Sequence, residues 1–373
     1  MSAEPMRNPN STVSIGNLTD SNTGRLYSLD LLRFAAAISV TAYHHAPLFE
    51  RVRGVAGDSP SGFRFGYLGV ELFFMISGFV IALSVQGRGW RSFLVHRAIR
   101  LYPTFWVSLL ISSVLAVTVA GDHVSMRTFV ANATMLPGYL GEPFIDGVYW
   151  TLGVEWKFYV LMAAVVAAGF HDRLDRVGAL WSGVLLFIHA GIQVPGLRSA
   201  VMFPYGAYFA FGVLVMDTRL HGLTRLRSLG LALSMAGMLL ATQSTYKGFI
   251  SKGEASDHLV VSAIVLVLSC LFAYLLLSPQ RILEKPHFRL LGSTTYPLYL
   301  LHAGVGSTLI ANWRPVHSIP AVILLSIGIT SALVVSATAL FEVRLVPRLA
   351  RSAMISRIAG QVPRLAQRTT TAN

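Results

Sequence analysis

Ten stretches of about twenty mostly apolar residues run through this chain, near 30–48, 66–85, 100–120, 149–170, 178–195, 199–216, 228–246, 258–278, 294–311 and 319–343. A helix of about 20 apolar residues matches the hydrocarbon thickness of a bilayer. Lipid offers no hydrogen bonds, so a spanning segment must satisfy its backbone groups internally, as a helix does. The expected fold is all-α, a polytopic membrane protein with about ten transmembrane helices. Only Pro195, Gly196, Leu197 and Arg198 separate the fifth stretch from the sixth. Composition agrees: 54% of the 373 residues are apolar and 13% charged, far from the usual soluble mix.

The formal charge of +13 raises the question of nucleic acid, but the basic residues lie between apolar stretches and in the C-terminal tail rather than on one soluble module. Membrane topology accounts for them. With the N-terminus inside, cytoplasmic segments hold 20 of the 30 Lys and Arg and outer loops hold 8, with Arg33 and Lys157 inside spans. This bias sets both termini in the cytoplasm of a cell with an inner or plasma membrane. Arg51, Arg53 and Arg64 in the first outer loop run against it. No cleavable signal peptide is evident, since residues 1–29 are polar and the first apolar run contains Arg33. The expected organisation is a disordered cytoplasmic tail over 1–29, a transmembrane domain over 30–346 and a basic cytoplasmic tail over 347–373. The single cysteine, Cys270, excludes an intramolecular disulfide or a paired-Cys metal site and reads as a helix-packing residue.

Arg33 and His44 are the polar residues that most need a reason within the first stretch. Eleven residues of helix turn about 20° beyond three full turns, so both side chains share one face about 16 Å apart. An Arg near mid-membrane costs roughly 2.5–3.5 kcal/mol even on gentle insertion scales and normally faces a polar interior. The pair points to a site within the bilayer, with Arg33 nearer the cytoplasm.

Five stretches add polar interruptions in a fixed order. They are LDLLRFAAAISVTAYH with Asp30, Arg33 and His44; GVELFFMISGFVI with Glu71, Phe73, Phe74, Ser77 and Gly78; FLVHRAIRLYPTFW with Arg97, Arg100 and Pro103; YWTLGVEWKFY with Trp150, Glu155, Phe158 and Tyr159; and LGSTTYPLYLLH with Gly292, Tyr296, Tyr299 and His302. This set resembles the membrane-bound acyltransferase family 3, whose members acylate carbohydrates and other cell-surface or secreted acceptors. The resemblance spans the first apolar stretch to the ninth. Two departures stand out. Where the family often shows Glu followed closely by Pro, Glu342 here precedes Pro347 by five residues, which puts a role for Glu342 in doubt, and no hydrolase-like domain is fused to the membrane part.

The resemblance implies transfer of an acyl group, by default acetyl, from cytoplasmic acyl-coenzyme A to a hydroxyl of an exopolysaccharide, O-antigen or lipid-linked oligosaccharide. It implies no permanently bound cofactor and no metal. The chemistry of the residues fits. Arg97 and Arg100, three apart at the start of the third span, share a helix face and suit phosphate, which guanidinium forks bind bidentately; their alternative is a topology role at lipid headgroups. Arg33 suits the donor's linker or pyrophosphate. A neutral His44 can take a hydroxyl proton and return one to the leaving thiolate. Glu155, at the outer end of the fourth span, is expected to orient His44 or bind a sugar hydroxyl, against a structural pairing with Lys157 or an outer-loop Arg. Glu71, Tyr296, Tyr299 and His302 are candidate cavity-lining residues, although Glu71 could neutralise Arg64 or Arg53 and a Tyr/His stripe also serves as interhelical glue. Ser77 and Gly78 read as a bend, and His45, about 100° from His44, as structural.

These expectations require one water-accessible tunnel, lined by Arg33 and His44, from an arginine-flanked inner mouth to an outer acceptor pocket. Acylation of a secreted small molecule such as a macrolide, a secondary transporter and a scaffold in polysaccharide export are the alternatives. HExxH, Walker-A and GxSxG signatures are absent, which argues against a zincin, an ATP-driven pump and an α/β-hydrolase. Expected partners are acyl-CoA, a carbohydrate acceptor and the bilayer, with no nucleic acid; the sequence carries no signal for oligomeric state.

Overall fold

A computed structural model describes residues 26–52, 63–249, 255–278, 285, 287–309 and 319–351. Helices α1 (Tyr27–Val52), α2 (Gly69–Ser84), α3 (Trp90–Leu115), α4 (Met126–Ala133), α5 (Trp150–Ala167), α6 (Leu174–His189), α7 (Leu197–Ala200), α8 (Gly206–His221), α9 (Arg225–Phe249), α10 (Ala255–Leu277), α11 (Phe288–Leu301), α12 (Ile319–Ala337) and α13 (Val346–Arg351) follow one another, and no strand occurs among the described residues. Three π-helical turns extend α3 (Ala116–Ala120), α11 (His302–Ser307) and α12 (Thr338–Leu345).

Most of the ten apolar stretches are helical where they are described, but the fifth loses its helix after His189 and the sixth is broken by a turn over 201–205 between Ala200 and Gly206. Five segments, Gly66–Ser84, Trp90–Ala120, Gly147–Ala167, Asp257–Leu277 and Gly328–Leu349, are long and apolar enough to cross a membrane. The others differ for identifiable reasons. The continuous helices α6 and α8 have only 16 residues each, and α1 and α11 carry the polar residues of the candidate site. The expected tail over 1–29 lies outside the described residues except for 26–29, of which 27–29 already belong to α1, and the first residues of the expected C-terminal tail, 347–351, continue α13.

The third stretch begins ten residues earlier than expected, at Trp90. Arg97 and Arg100 therefore lie two to three turns inside α3 rather than at its start. Hydropathy alone drops these turns, but the helix persists because the guanidinium groups face a protein cavity. The loop after α3 holds a further helix, α4, capped by Ser125, whose Oγ accepts the Thr128 N–H at 3.0 Å.

Close helix approaches fix the frame. Helices α1 and α11 run in the same direction, with Asp30 against Gly292 near their starts and His45 against Gly306 further along. Helices α2 and α8 also run together, Phe74 stacking on Phe209 at 4.7 Å while Gly78 meets Gly212. Phe158 of α5 packs on Phe209 at 4.4 Å and Trp181 of α6 at 5.9 Å, joining these layers. Arg227 of α9 bonds Asp217 of α8 and lies 3.9 Å from Asp175 of α6, bracing one end. Outward faces are apolar, as at Leu180 and Val267, suited to lipid.

A Cβ on Gly212 would come within 2.0 Å of the Met75 carbonyl oxygen and 2.8 Å of the Phe79 nitrogen. Both are backbone atoms and cannot swing aside. Gly212→Ala is expected to destabilise the fold by about 1–3 kcal/mol through overpacking, read as a lower thermal unfolding temperature in detergent. Gly183→Ala, with nothing within 4 Å, is the control expected to show no loss.

Candidate active site

Helices α1, α2, α3, α5 and α11 enclose a cavity of about 160 Å³. Arg33, Arg97 and Arg100 enter it from α1 and α3, Glu155 and Tyr159 from α5, Ser77 from α2, and Tyr296 and Tyr299 from α11. Local sequence explains the convergence. The three-residue spacings of Arg97 with Arg100 and of Tyr296 with Tyr299 each place two polar groups on one helix face, and the facing apolar residues Val70, Phe73 and Phe74 come from α2.

Arg33 lies 3.8 Å from Asp30 in the same helix. The Nε of Arg97 is buried without a hydrogen-bond partner, and its guanidinium lies 5.8 Å from the Phe93 ring. Arg100 forms an ion pair with Glu342, whose other oxygen accepts the Thr104 hydroxyl at 2.9 Å. Sequence reasoning set Glu342 aside because the expected neighbouring Pro was missing; its position within a π-helical turn was not readable from a motif.

Glu155 accepts hydrogen bonds from Ser77 Oγ at 3.0 Å and Tyr159 OH at 2.6 Å. It shares the arginine-lined cavity, whose walls do not include His44. Its carboxylate is therefore positioned beside the guanidinium groups rather than beside the imidazole it was expected to orient. Lys157, the other expected partner, bonds Ser199 at 3.2 Å. Ser77, expected as a bend residue, is a hydrogen-bond donor in the cavity.

Glu71 is buried on α2 and is not a wall of this cavity. It does not pair with Arg64, which bonds Asp257 at 2.8 Å; Arg53 lies outside the described residues. Tyr296 donates to the Leu101 carbonyl at 3.1 Å, and Tyr299 meets the Thr151 hydroxyl at 2.8 Å.

Beyond Tyr299 the stripe continues to His302, which is fully buried. The Tyr299 and His302 rings are 5.6 Å apart and those of His302 and His44 are 5.2 Å apart. His44 thus lies one ring beyond His302, which lies one ring beyond the cavity wall. The expected continuous lining by Arg33 and His44 is replaced by a cavity at Arg33 and an aromatic relay to half-buried His44. His45 takes the structural role expected of it, donating from Nε2 to the His302 carbonyl at 2.7 Å.

Asp146, just before the span that begins at Gly147, carried no sequence signal. It is buried beside the π-helical turn, and burial pushes its carboxyl up to about 6 against the pull of the Val148 and Gly304 N–H groups. The result is a cavity lined by three arginines and the Glu155 carboxylate, able to hold a polyanion, with a pair of imidazoles beyond its Tyr299 wall able to move a proton.

The family described as "Acyltransferase domain" matches residues 26–340. Nodulation protein 10 of Rhizobium leguminosarum bv. viciae is 26% identical over 331 residues, covering 80% of this chain and 87% of the relative. Exopolysaccharide production protein ExoZ of Rhizobium meliloti (strain 1021) is 26% identical over 259 residues, 64% of this chain and 76% of the relative. Acyltransferase MdmB of Streptomyces mycarofaciens is 30% identical over 150 residues, 36% of this chain and 38% of the relative. No solved structure matches.

Proposed function

The chain belongs to the acyltransferase domain family, and on that premise we propose that it moves an acetyl group from cytoplasmic acetyl-coenzyme A to a hydroxyl of a surface carbohydrate, in an inner or plasma membrane with both termini cytoplasmic. Membership among acyltransferases favours an enzyme over a transporter or a scaffold. The names of the nodulation and exopolysaccharide relatives support a glycan acceptor.

The observation that carries the reading is the convergence of Arg33, Arg97 and Arg100 on one cavity whose Tyr299 wall leads to His302 and His44. Coenzyme A bears several phosphates at one end and a thioester at the end of a long pantetheine arm. Arg97 and Arg100 suit the phosphates, which guanidinium groups hold by charge-assisted bonds. Arg33 suits the arm, and its separation of about 16 Å from His44 along α1 is comparable with the arm's reach. The acceptor oxygen attacks the thioester carbonyl carbon; a C–O bond forms and the C–S bond breaks. His44 takes the hydroxyl proton and delivers it to the departing thiolate. Glu155, fixed by Ser77 and Tyr159, limits the positive charge of the donor cavity.

Mass spectrometry of surface glycans tests the reading. A strain lacking the chain is expected to make the same glycan without its acetyl ester, and restoring the chain is expected to restore it. Unchanged glycan acetylation in the deletion strain defeats the assignment of acceptor. Transfer of label from acetyl-coenzyme A by membrane vesicles tests the donor separately.

A further inference from the structure

His302 uses only half of its imidazole. Its Nδ1 lies 2.8 Å from the Tyr299 carbonyl oxygen, and a carbonyl oxygen can only accept. A neutral His302 therefore carries its proton on Nδ1 and presents a lone pair at Nε2. That Nε2 is buried without a partner. An unmatched buried acceptor costs about 1–3 kcal/mol, and such atoms in native folds call for an explanation.

Two imidazoles flank it. The His45 ring is 6.3 Å away, and its Nε2 is committed to the His302 carbonyl. The His44 ring is nearer, at 5.2 Å. Two imidazoles sharing an N–H···N bond of about 2.9 Å have centroids about 5 Å apart, the spacing the His44 and His302 rings already have. We propose that His302 is a positioning residue for His44: its Nε2 accepts the His44 N–H, fixes that tautomer, and leaves the second His44 nitrogen as the lone pair directed at the acceptor hydroxyl.

The role corresponds to that of the carboxylate that orients the histidine in a serine hydrolase triad, filled here by a neutral ring. Neutrality suits the position, because an ionised carboxylate buried in an apolar interior carries a much larger desolvation cost. The backbone bearing His302 is held for such a task. It opens a π-helical turn, a feature frequent at functional sites. His45 holds the carbonyl of His302, and the Asp146 carboxylate takes the Gly304 N–H. Gly306 leaves room for this clamp, since a Cβ there would fall 2.5 Å from His45 Nε2.

This inference rests on the acyl-coenzyme A reading, and one experiment separates the two. Membrane vesicles from the native host, carrying the full chain, are given labelled acetyl-coenzyme A, and label entering the glycan fraction is followed for His302→Phe and His302→Gln. Phe fills the volume without an acceptor; the Gln Oε1 restores one. The expected result is a kcat at least about tenfold lower for Phe, KM for acetyl-coenzyme A within about twofold of the unaltered chain, and substantial recovery of kcat for Gln. Full kcat in the Phe variant overturns the proposal, as does an equal loss in both variants. Should the Phe variant fail to accumulate, His302→Ala with added imidazole replaces it: rescue of the rate supports the positioning role, and lack of rescue overturns it. No label transfer by the unaltered chain defeats the donor reading itself.

Discussion

His44→Ala is expected to lower acyl transfer by about 10²–10⁴, the range associated with loss of a positioned general base, while the protein still inserts and accumulates. His44 is half-buried and meets Tyr43 edge-on at 5.0 Å as well as His302, so truncation removes a ring at a partly open position rather than from the sealed core. Label transfer from acetyl-coenzyme A in membranes and acetyl content of the glycan are the two readouts, with protein level and thermal unfolding alongside. Full activity in the correctly inserted variant would falsify the assignment of His44 as the group that handles the reacting proton. A variant whose KM rises with kcat unchanged would also count against it, because that pattern marks lost uniform binding rather than lost transition-state stabilisation.

Arg97→Gln is expected to raise KM for acetyl-coenzyme A by about 10–100-fold with kcat little changed. Hydrogen bonds to charged groups contribute about 1.5–3 kcal/mol, and each 1.4 kcal/mol corresponds to a factor of about ten. Arg97 is the informative choice because its Nε has no partner in the cavity, whereas removing Arg100 also strands Glu342. Acetyl-pantetheine, which lacks the nucleotide, provides the internal comparison: the unaltered chain and the variant should use it equally well. Unchanged KM for the full donor places Arg97 among residues that only set topology.

Much of this architecture is readable from periodicity and apolar length. Most of the apolar stretches are helical where the structure describes them, because an apolar run in lipid has few alternatives; the fifth and sixth, which only four residues separate, are the ones interrupted by turns. Boundaries are less legible. The helix that bears Arg97 starts at Trp90 because a protein cavity, invisible to hydropathy, receives its guanidinium groups. Helices α1 and α11 fall short of the apolar threshold for the same reason: the residues that build the site dilute the signal of the helices that carry it.

Pairings were harder to read than residues. The motif resemblance, together with residue type and spacing, singles out Arg33, Arg97, Arg100, Glu155, Tyr296 and Tyr299, and the fold gathers all six around one cavity. Which of them face one another depends on helix rotation, and eleven-residue or three-residue spacings define faces only within a single helix. Glu155 therefore meets Ser77 and Tyr159, a contact that neither its own motif nor the Ser77–Gly78 pair makes visible. Glu342 lies 242 residues from Arg100, a separation across which local patterns carry no information. His302 was among the candidates, but the unmatched nitrogen that gives it a purpose appears only once the Tyr299 carbonyl is seen to hold the other one.

The bond between Arg100 and Glu342 joins the π-helical turn at the end of α12 to the arginine-lined cavity. On the acyl-coenzyme A reading, an arriving phosphate competes with this carboxylate for the same guanidinium, so apparent donor affinity is the difference between two attractions rather than the strength of one. Eviction of Glu342 on arrival, and its return on departure, would make the end of α12 a reporter of occupancy and would help a spent, strongly anionic carrier to leave.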